Sequence, residues 1–153
     1  MRALCALGGF VQYREMKISD YEKVISLWQE AEGVKLRDAD SKNGIEKYLL
    51  RNPALSFVAE LSGQIVGTIM SGHDGKRGYI QHLAVAHDQR STGVATELIS
   101  LCLKALKAEG IIKSHIHVLS NNELGKKYWS NRGWKMRNDI EVFSYINGGS
   151  AST

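Results

Sequence analysis

The sequence is poor in the residues that define several protein classes. Its two cysteines, Cys5 near the N-terminus and Cys102 inside a helical pattern, give no disulfide framework, so a reducing compartment such as the cytoplasm is expected. No apolar run approaches the length of a membrane span, and no membrane partner is expected. Lys and Arg total 20 against 16 Asp and Glu, with both signs interspersed rather than gathered in a block. A nucleic-acid surface calls for a denser basic stripe, so a net charge of +4 suits a small polyanionic ligand better. Met1 to Phe10 carry one positive charge and a short apolar run, but two glycines and a missing cleavage pattern make a poor signal peptide. There is no internal repeat, no low-complexity linker and no expected metal site.

What the chain has is enough apolar residues for one core. Of 153 residues, 43% are hydrophobic and 24% charged, the balance of a single compact domain. We read residues 1–9 as a tail, 10–147 as that domain and 148–153, small and polar, as a disordered C-terminal tail. The domain is organised around Gly78 to Ile99. Tyr79 to Val85 is rich in strand formers, and Val94 to Leu106 places Leu98, Ile99, Cys102, Leu103 and Leu106 on one helical stripe. Between them runs Arg90-Ser91-Thr92-Gly93-Val94-Ala95, small or polar throughout. Gly93 allows a backbone conformation and a closeness of approach that a side chain would prevent. Backbone N–H groups at a helix N-terminus have no intrahelical partner and can converge on an anion, which the helix dipole also favours. A pyrophosphate fits such a loop. The loop lacks the Gly-Lys-Ser/Thr ending of a Walker sequence and two of the three glycines of a dinucleotide fingerprint.

The remaining elements follow from local signals. Phe10 to Met16 reads as a strand, and Ser19 with Glu22 as a capping box opening a helix that Gly33 ends. A second helix is expected near Ser41 to Leu50, stopped by Asn52-Pro53. Leu55 to Leu61 and Gln64 to Gly72 are strands joined by the hairpin turn Ser62-Gly63. After the central helix, Ile111 to Leu119 reads as a strand parallel to the central one, because strand-helix-strand crossovers are right-handed. Asn121-Asn122 opens a helix to about Arg132, and Trp134 to Asn147 supplies one or two final strands.

Leu83-Ala84-Val85 followed by Arg90, Gly93 and Ala95 resembles the acyl-CoA loop of the GNAT superfamily of N-acetyltransferases, which usually reads Gln/Arg-x-x-Gly-x-Gly/Ala. The element order resembles that family over nearly the whole chain. The resemblance implies an α/β (α+β) fold with a mixed, mostly antiparallel sheet, splayed between its fourth and fifth strands. It also implies acetyl-CoA as acyl donor. Arg90, Ser91, Thr92, Gly93, Val94 and Ala95 would hold the pyrophosphate, and Leu83, Ala84 and Val85 the pantetheine and acyl group. Asn122 would contact the pantetheine arm as well as cap its helix, and Trp129, counted with the cofactor-binding residues, would wall the thiol site. The segment over the acceptor site makes Trp28, Glu32, Leu36 and Arg37 substrate candidates, although Trp28 also suits the core and Arg37 a solvated loop.

No carboxylate stands where the family often keeps its general base. His82 precedes Leu83, and His117 lies five residues before Asn122, where the branch resembling ribosomal-protein N-terminal acetyltransferases carries a glutamate. Histidine titrates near neutral pH and can serve as a general base. His82 and His117 are therefore the catalytic candidates, against the alternative of hydrogen-bonded strand residues. Many family members also have a tyrosine seven residues after the asparagine, where this chain has Trp129. Tyr128 is turned about 100° from that position around the helix, and indole cannot act as the acid. The reading is an N-acetyltransferase moving acetyl from acetyl-CoA to a primary amine, on a small molecule or a peptide, by direct ternary-complex transfer. A homodimer is compatible with it. The alternatives are a catalytically weak acyl-CoA-binding or sensing module, and a small basic nucleic-acid domain.

Overall fold

A computed structural model describes residues 2–4 and 9–153. Its sheet has six strands in sequential order: β1 (Arg2–Leu4), β2 (Phe10–Glu15), β3 (Phe57–Leu61), β4 (Gln64–His73), β5 (Gly78–Val85) and β6 (Ser114–Ile116). The helices are α1 (Tyr21–Glu30), α2 (Lys42–Arg51), α3 (Val94–Ala108) and α4 (Glu123–Asn131). All neighbouring strands are antiparallel except β5 and β6, which α3 connects as a parallel pair. These two are the fourth and fifth strands expected from the sequence, displaced in number by β1. The N-terminal tail reading is corrected in part, because Arg2–Leu4 pairs with Phe10–Gln12. Met1 and residues 5–8, including Cys5, lie outside the described residues.

The sheet is covered on both faces. Leu98, Ile99 and Cys102 of α3 pack with Val11, Ala59 and Ile69 on one face, while Val24, Leu27 and Trp28 of α1 and Ile45 of α2 pack with Val58 and Met70 on the other. A strand's side chains alternate between faces, yet in β4 Val66 and Ile69 share a face, as do Ile65 and Met70. The register shift at Ala59/Glu60 explains this: β4 carries one extra residue there, and the bulge reverses the phase. Gly67, beside that bulge, lets α3 seat closely. A Cβ at this position would lie 2.7 Å from Val94 Cγ1 and 3.0 Å from Leu98 Cδ1.

Helix signals hold with one shift. Ser41 caps α2 through the Gly44 N–H, and Asn122 caps α4 through the Gly125 N–H. Ser19 does not cap α1. Asp20 is placed one residue later, where its carboxylate accepts the Lys17 N–H and pairs with Arg14, which also reaches Glu60. The Arg14 hydrogen bonds hold Asp20 below the usual carboxylate range against the effect of its burial. Ser62 and Gly63 both take positive φ, 50° and 77°, as the hairpin requires. The segment from Trp134 to Asn147 forms no strand, contrary to expectation. No helix among the described residues is long and apolar enough to cross a membrane.

Replacing Gly67 with Val should overpack the α3 contact and lower stability by about 1–3 kcal/mol. Urea unfolding should show a lower midpoint with native helix content retained.

Candidate active site

The parallel ladder between β5 and β6 runs only from Gly78/Ser114 to Ile80/Ile116, while β5 continues to Val85. Past Ile80 the two strands part, and a cleft of about 1020 Å³ opens between them. Its walls are the second half of β5, residues 117–119, the Arg90–Thr96 turn into α3, the chain after α1 and one side of α4. At the α3 end, Ser91 (φ 61°) and Gly93 (φ 91°) both take left-handed backbone, so the chain turns sharply into the helix. Gly93 caps α3 with no side-chain hydrogen bond, leaving the first-turn N–H groups at the cleft without intrahelical partners. A Cβ at Gly93 would meet nothing within 4 Å, so the glycine is set by its φ and not by crowding.

The middle of β5 holds a second bulge. Pairing passes from Thr68/Ala84 to Met70/Gln81, two steps on β4 against three on β5. The extra residue falls at His82 and Leu83, and His82 takes φ 49°. Such a bulge leaves part of the ladder unpaired and re-aims a side chain. Two hydrogen bonds meet there, one buried and one partly buried: Trp28 Nε1–H donates to Thr68 Oγ1 at 2.8 Å, and Thr68 Oγ1–H donates to the His82 carbonyl at 3.0 Å. The His82 ring is thereby turned against Trp28, with centroids 4.5 Å apart, and its Nε2 lies 2.6 Å from Asp40 Oδ1.

Asp40 is held on every side. Its second carboxylate oxygen accepts the Arg37 N–H at 2.8 Å, and its carbonyl accepts the Tyr21 hydroxyl at 2.8 Å. Burial alone would raise its carboxyl pKa, but the bonds from His82 and from the Arg37 backbone outweigh that effect and keep it below the ordinary carboxylate value. Both partners are largely covered, with side-chain exposures of 16% for His82 and 10% for Asp40. An ionised Asp40 is an acceptor only, so the hydrogen between them sits on Nε2, and in the neutral ring the lone pair is then on Nδ1. This geometry can hold one imidazole tautomer and accept a proton at the cleft wall.

Most residues singled out from the sequence line the cleft. They are Glu32, His82, Leu83, Ala84, Val85, Arg90, Ser91, Gly93, Val94, Ala95, His117, Asn122 and Trp129. Thr92 does not, because its hydroxyl turns back to donate to the Gln89 carbonyl. Trp28 is fully buried and cannot touch a substrate; it supports His82 from behind. Leu36 packs among the apolar residues around Trp28, and Arg37 contributes only its backbone N–H to Asp40. His117 lies past the end of β6 and is exposed. His115 stacks beside Tyr79, and burial lowers its pKa.

Two residues were not singled out. Asp40 is 42 positions from His82 and reads locally as a loop charge ahead of the Ser41 cap, so no sequence signal joins the two. Tyr128 lines the cleft despite its offset from Trp129. Its hydroxyl is buried without a hydrogen-bond partner, burial raises its pKa, and its ring lies 3.5 Å from the Arg132 guanidinium carbon. Cys102 is sealed in the core, with burial pushing its thiol up to about 12, and is no nucleophile.

Comparison with known proteins agrees with this geometry. The model of the acetyltransferase (GNAT) family matches residues 21–134. An acetyltransferase of Yersinia enterocolitica is 40% identical over 74% of this chain and 79% of its own length. One of Sodalis glossinidius is 33% identical over 85% of this chain and 91% of its own. Among solved structures, the PaiA N-acetyltransferase of Thermoplasma acidophilum in complex with coenzyme A superposes with a TM-score of 0.74 at 18% identity, covering 85% of this chain and 92% of that one. The aminoglycoside N-acetyltransferase AAC(6')-Iy in complex with CoA gives 0.73 at 17% identity, covering 95% and 100%. A splayed parallel pair, an open helix N-terminus beside it and a family match over most of the sequence lead to one conclusion: the chain belongs to the GNAT family of acetyl-CoA-dependent N-acetyltransferases.

Proposed function

We propose that the protein transfers acetyl directly from acetyl-CoA to a primary amine in a ternary complex, with His82 as general base oriented by Asp40. The observation that carries this reading is the 2.6 Å contact of His82 with Asp40 at the bulge in the cleft wall. The CoA pyrophosphate is assigned to the first turn of α3 and Arg90, where open N–H groups and a positive charge face the cleft. The pantetheine arm is assigned to Leu83–Val85, whose backbone the splay leaves without a partner strand on that side. The acceptor enters from the side of Glu32.

In this scheme His82 Nδ1 takes a proton from the acceptor ammonium, directly or through one water. The neutral amine then attacks the thioester carbonyl, and an N–H released by the bulge stabilises the oxyanion that forms. The tetrahedral intermediate loses its second amine proton to water and collapses with cleavage of the C–S bond, giving the amide and CoA thiolate. Tyr128 is the proposed donor of the proton that the thiolate takes up, because its hydroxyl is protonated, buried and unpaired in the cleft wall. No acetyl-enzyme is involved, since Cys102 is shielded. His117 stands at the base position of the ribosomal-protein branch, but His82 has the orienting carboxylate that His117 lacks, so we place the catalytic role on His82. The acceptor is a small-molecule or peptide amine.

Three tests follow from these assignments. Gly93→Glu should abolish CoA binding in calorimetric titration, while Gly93→Asn, which tolerates positive φ, should retain it; equal binding by both would remove the loop from the site. His82→Ala should lower kcat by about 10² to 10⁴ with CoA affinity unchanged, and Asp40→Asn should lower kcat and alter the acid limb of the pH–rate profile through loss of the tautomer-fixing partner. A wild-type profile in both variants would refute the base assignment. Tyr128→Phe should lower kcat with KM for acetyl-CoA unchanged; an unchanged kcat would leave water as the proton donor.

A further inference from the structure

The paired ends of β5 and β6 carry a pattern that acetyl transfer at His82 leaves unused. Their register sets Tyr79 beside His115, and the Gly78 N–H donates to the Lys113 carbonyl at 3.0 Å, which carries the ladder back to Arg77 and Lys113. Side chains alternate along a strand. Ile80 and Ile116 pack with α3 on one face, so Arg77, Tyr79 and Gln81 share the other face with Lys113, His115 and His117. The Tyr79 and His115 rings lie 5.9 Å apart on it.

The charges on this face are mostly positive. Arg77, Lys113 and Arg137 are exposed and lie within electrostatic range of the His115 ring. Burial first, and then these cations, lower the His115 pKa. Two carboxylates stand nearby, and both are engaged. Asp74 Oδ1 accepts the Lys76 and Arg77 N–H groups at 2.8 and 2.7 Å, and Asp139 accepts two N–H groups of Arg137, each at 2.7 Å. Arg77 gives one N–H to the Lys76 carbonyl. Its other donors and the Lys113 ammonium meet no hydrogen-bond acceptor among the described residues. Cations gathered in this way repel one another, and an anion placed among them relieves the repulsion.

Arg137 is placed there by the chain that follows α4. Trp134 packs edge-on against Trp129 with centroids 4.8 Å apart. At the far end the Asp38 N–H donates to the Ser152 carbonyl at 3.1 Å, and Ser150 Oγ–H donates to the Asp38 carboxylate at 2.5 Å. The last six residues are therefore tied to the domain and not the free tail expected from the sequence. Tyr79, His115 and His117 line the same cleft as His82 and Glu32. A strand rises about 3.3 Å per residue, so Tyr79 and the groups beside it stand about 10 Å from His82 along β5. Tyr79 and Gln81 also line a second hollow of about 290 Å³ on the side of Arg51, so the face stays open beyond the cleft.

We propose, on the amine-transfer reading of the cleft, that this face is an anion subsite for the acceptor: a phosphate or carboxylate on the acceptor docks among Arg77, Lys113 and Arg137 beside His115 while its amine reaches His82. The substrate class is then an amine that also carries an anionic group roughly 10 Å away, less the reach of the side chains at both ends. The two ends differ in sign. Glu32 and the Asp40 carboxylate behind His82 stand at the amine end and the cations at the other, so a zwitterionic acceptor is oriented in one direction. His115, kept neutral by its surroundings, adds a ring N–H donor for the anion.

A matched series of amines tests this at constant ionic strength: 6-aminohexyl phosphate, 6-aminohexanoate, 6-amino-1-hexanol and 1,6-diaminohexane. Binding is read without turnover from the imidazole C2–H resonance of His115, assigned with His115→Gln, in protein saturated with CoA so that the α3 loop is filled. The two anionic amines should shift this resonance saturably and the other two should not, with the tighter of the pair showing which anion the face takes. Equal shifts by all four, or none, would overturn the subsite. In turnover the anionic amines should have the higher kcat/KM. The double variant Arg77→Glu, Lys113→Glu should cut that preference by about tenfold, with unchanged circular dichroism because both side chains are exposed. Lys104→Glu, exposed on α3 outside the cluster, should keep it. Acetylation of every amine without preference removes the subsite and leaves the transfer reading. Saturable anion binding at His115 with no amine acetylated keeps the subsite and removes the transfer reading.

Discussion

The short hydrogen-bonded chain from Trp28 through Thr68 to the His82 carbonyl is the constraint on which the site depends. Trp28 and Thr68 are fully buried, where each polar group must find a partner or cost about 1–3 kcal/mol. Thr68 in β4 links the Trp28 indole of α1 to the His82 carbonyl at the bulge in β5. The bulge turns the imidazole from the ladder toward Asp40 and interrupts strand pairing where the cleft begins. Packing of α1 on the sheet and placement of the histidine are thus one structural event.

The cleft itself comes from a mismatch in length. β6 is only Ser114–Ile116, whereas β5 runs on to Val85, so their parallel pairing ends early and backbone is left without a partner. α3 spans the two strands and begins beside the gap, which brings its open N-terminus to the same place. An open helix N-terminus, an unpaired strand edge and His82 are therefore brought together by topology, with no residue of α3 needing to reach far. Asp40 joins them because the Ser41 cap of α2 and the Tyr21 hydroxyl fix the loop that carries it.

Much of this was legible in the sequence wherever the signal is local. The loop Arg90 to Ala95, the hairpin at Ser62-Gly63 and the caps at Ser41 and Asn122 depend on residues a few positions apart. Such residues constrain φ and hydrogen bonding directly. Thr92 shows the limit: it belongs to the loop pattern, but its hydroxyl faces Gln89 because the turn uses it internally. Trp28 shows another, since an aromatic residue near an expected substrate segment can serve the core face of the same helix.

By itself the sequence determined the order and type of the elements from β2 through α4, the glycine loop from Arg90 to Ala95 and the presence of histidines near the parting of the two strands. Those features are written in periodicity, glycine conformational freedom and capping, all short-range. Only the tertiary structure decided that His82 meets Asp40 across 42 positions, that Tyr128 reaches the cleft, and that residues 135–147 join no strand among the described residues. Each of these is a matter of which surfaces meet, and no stretch of sequence records where the body opposite it will lie.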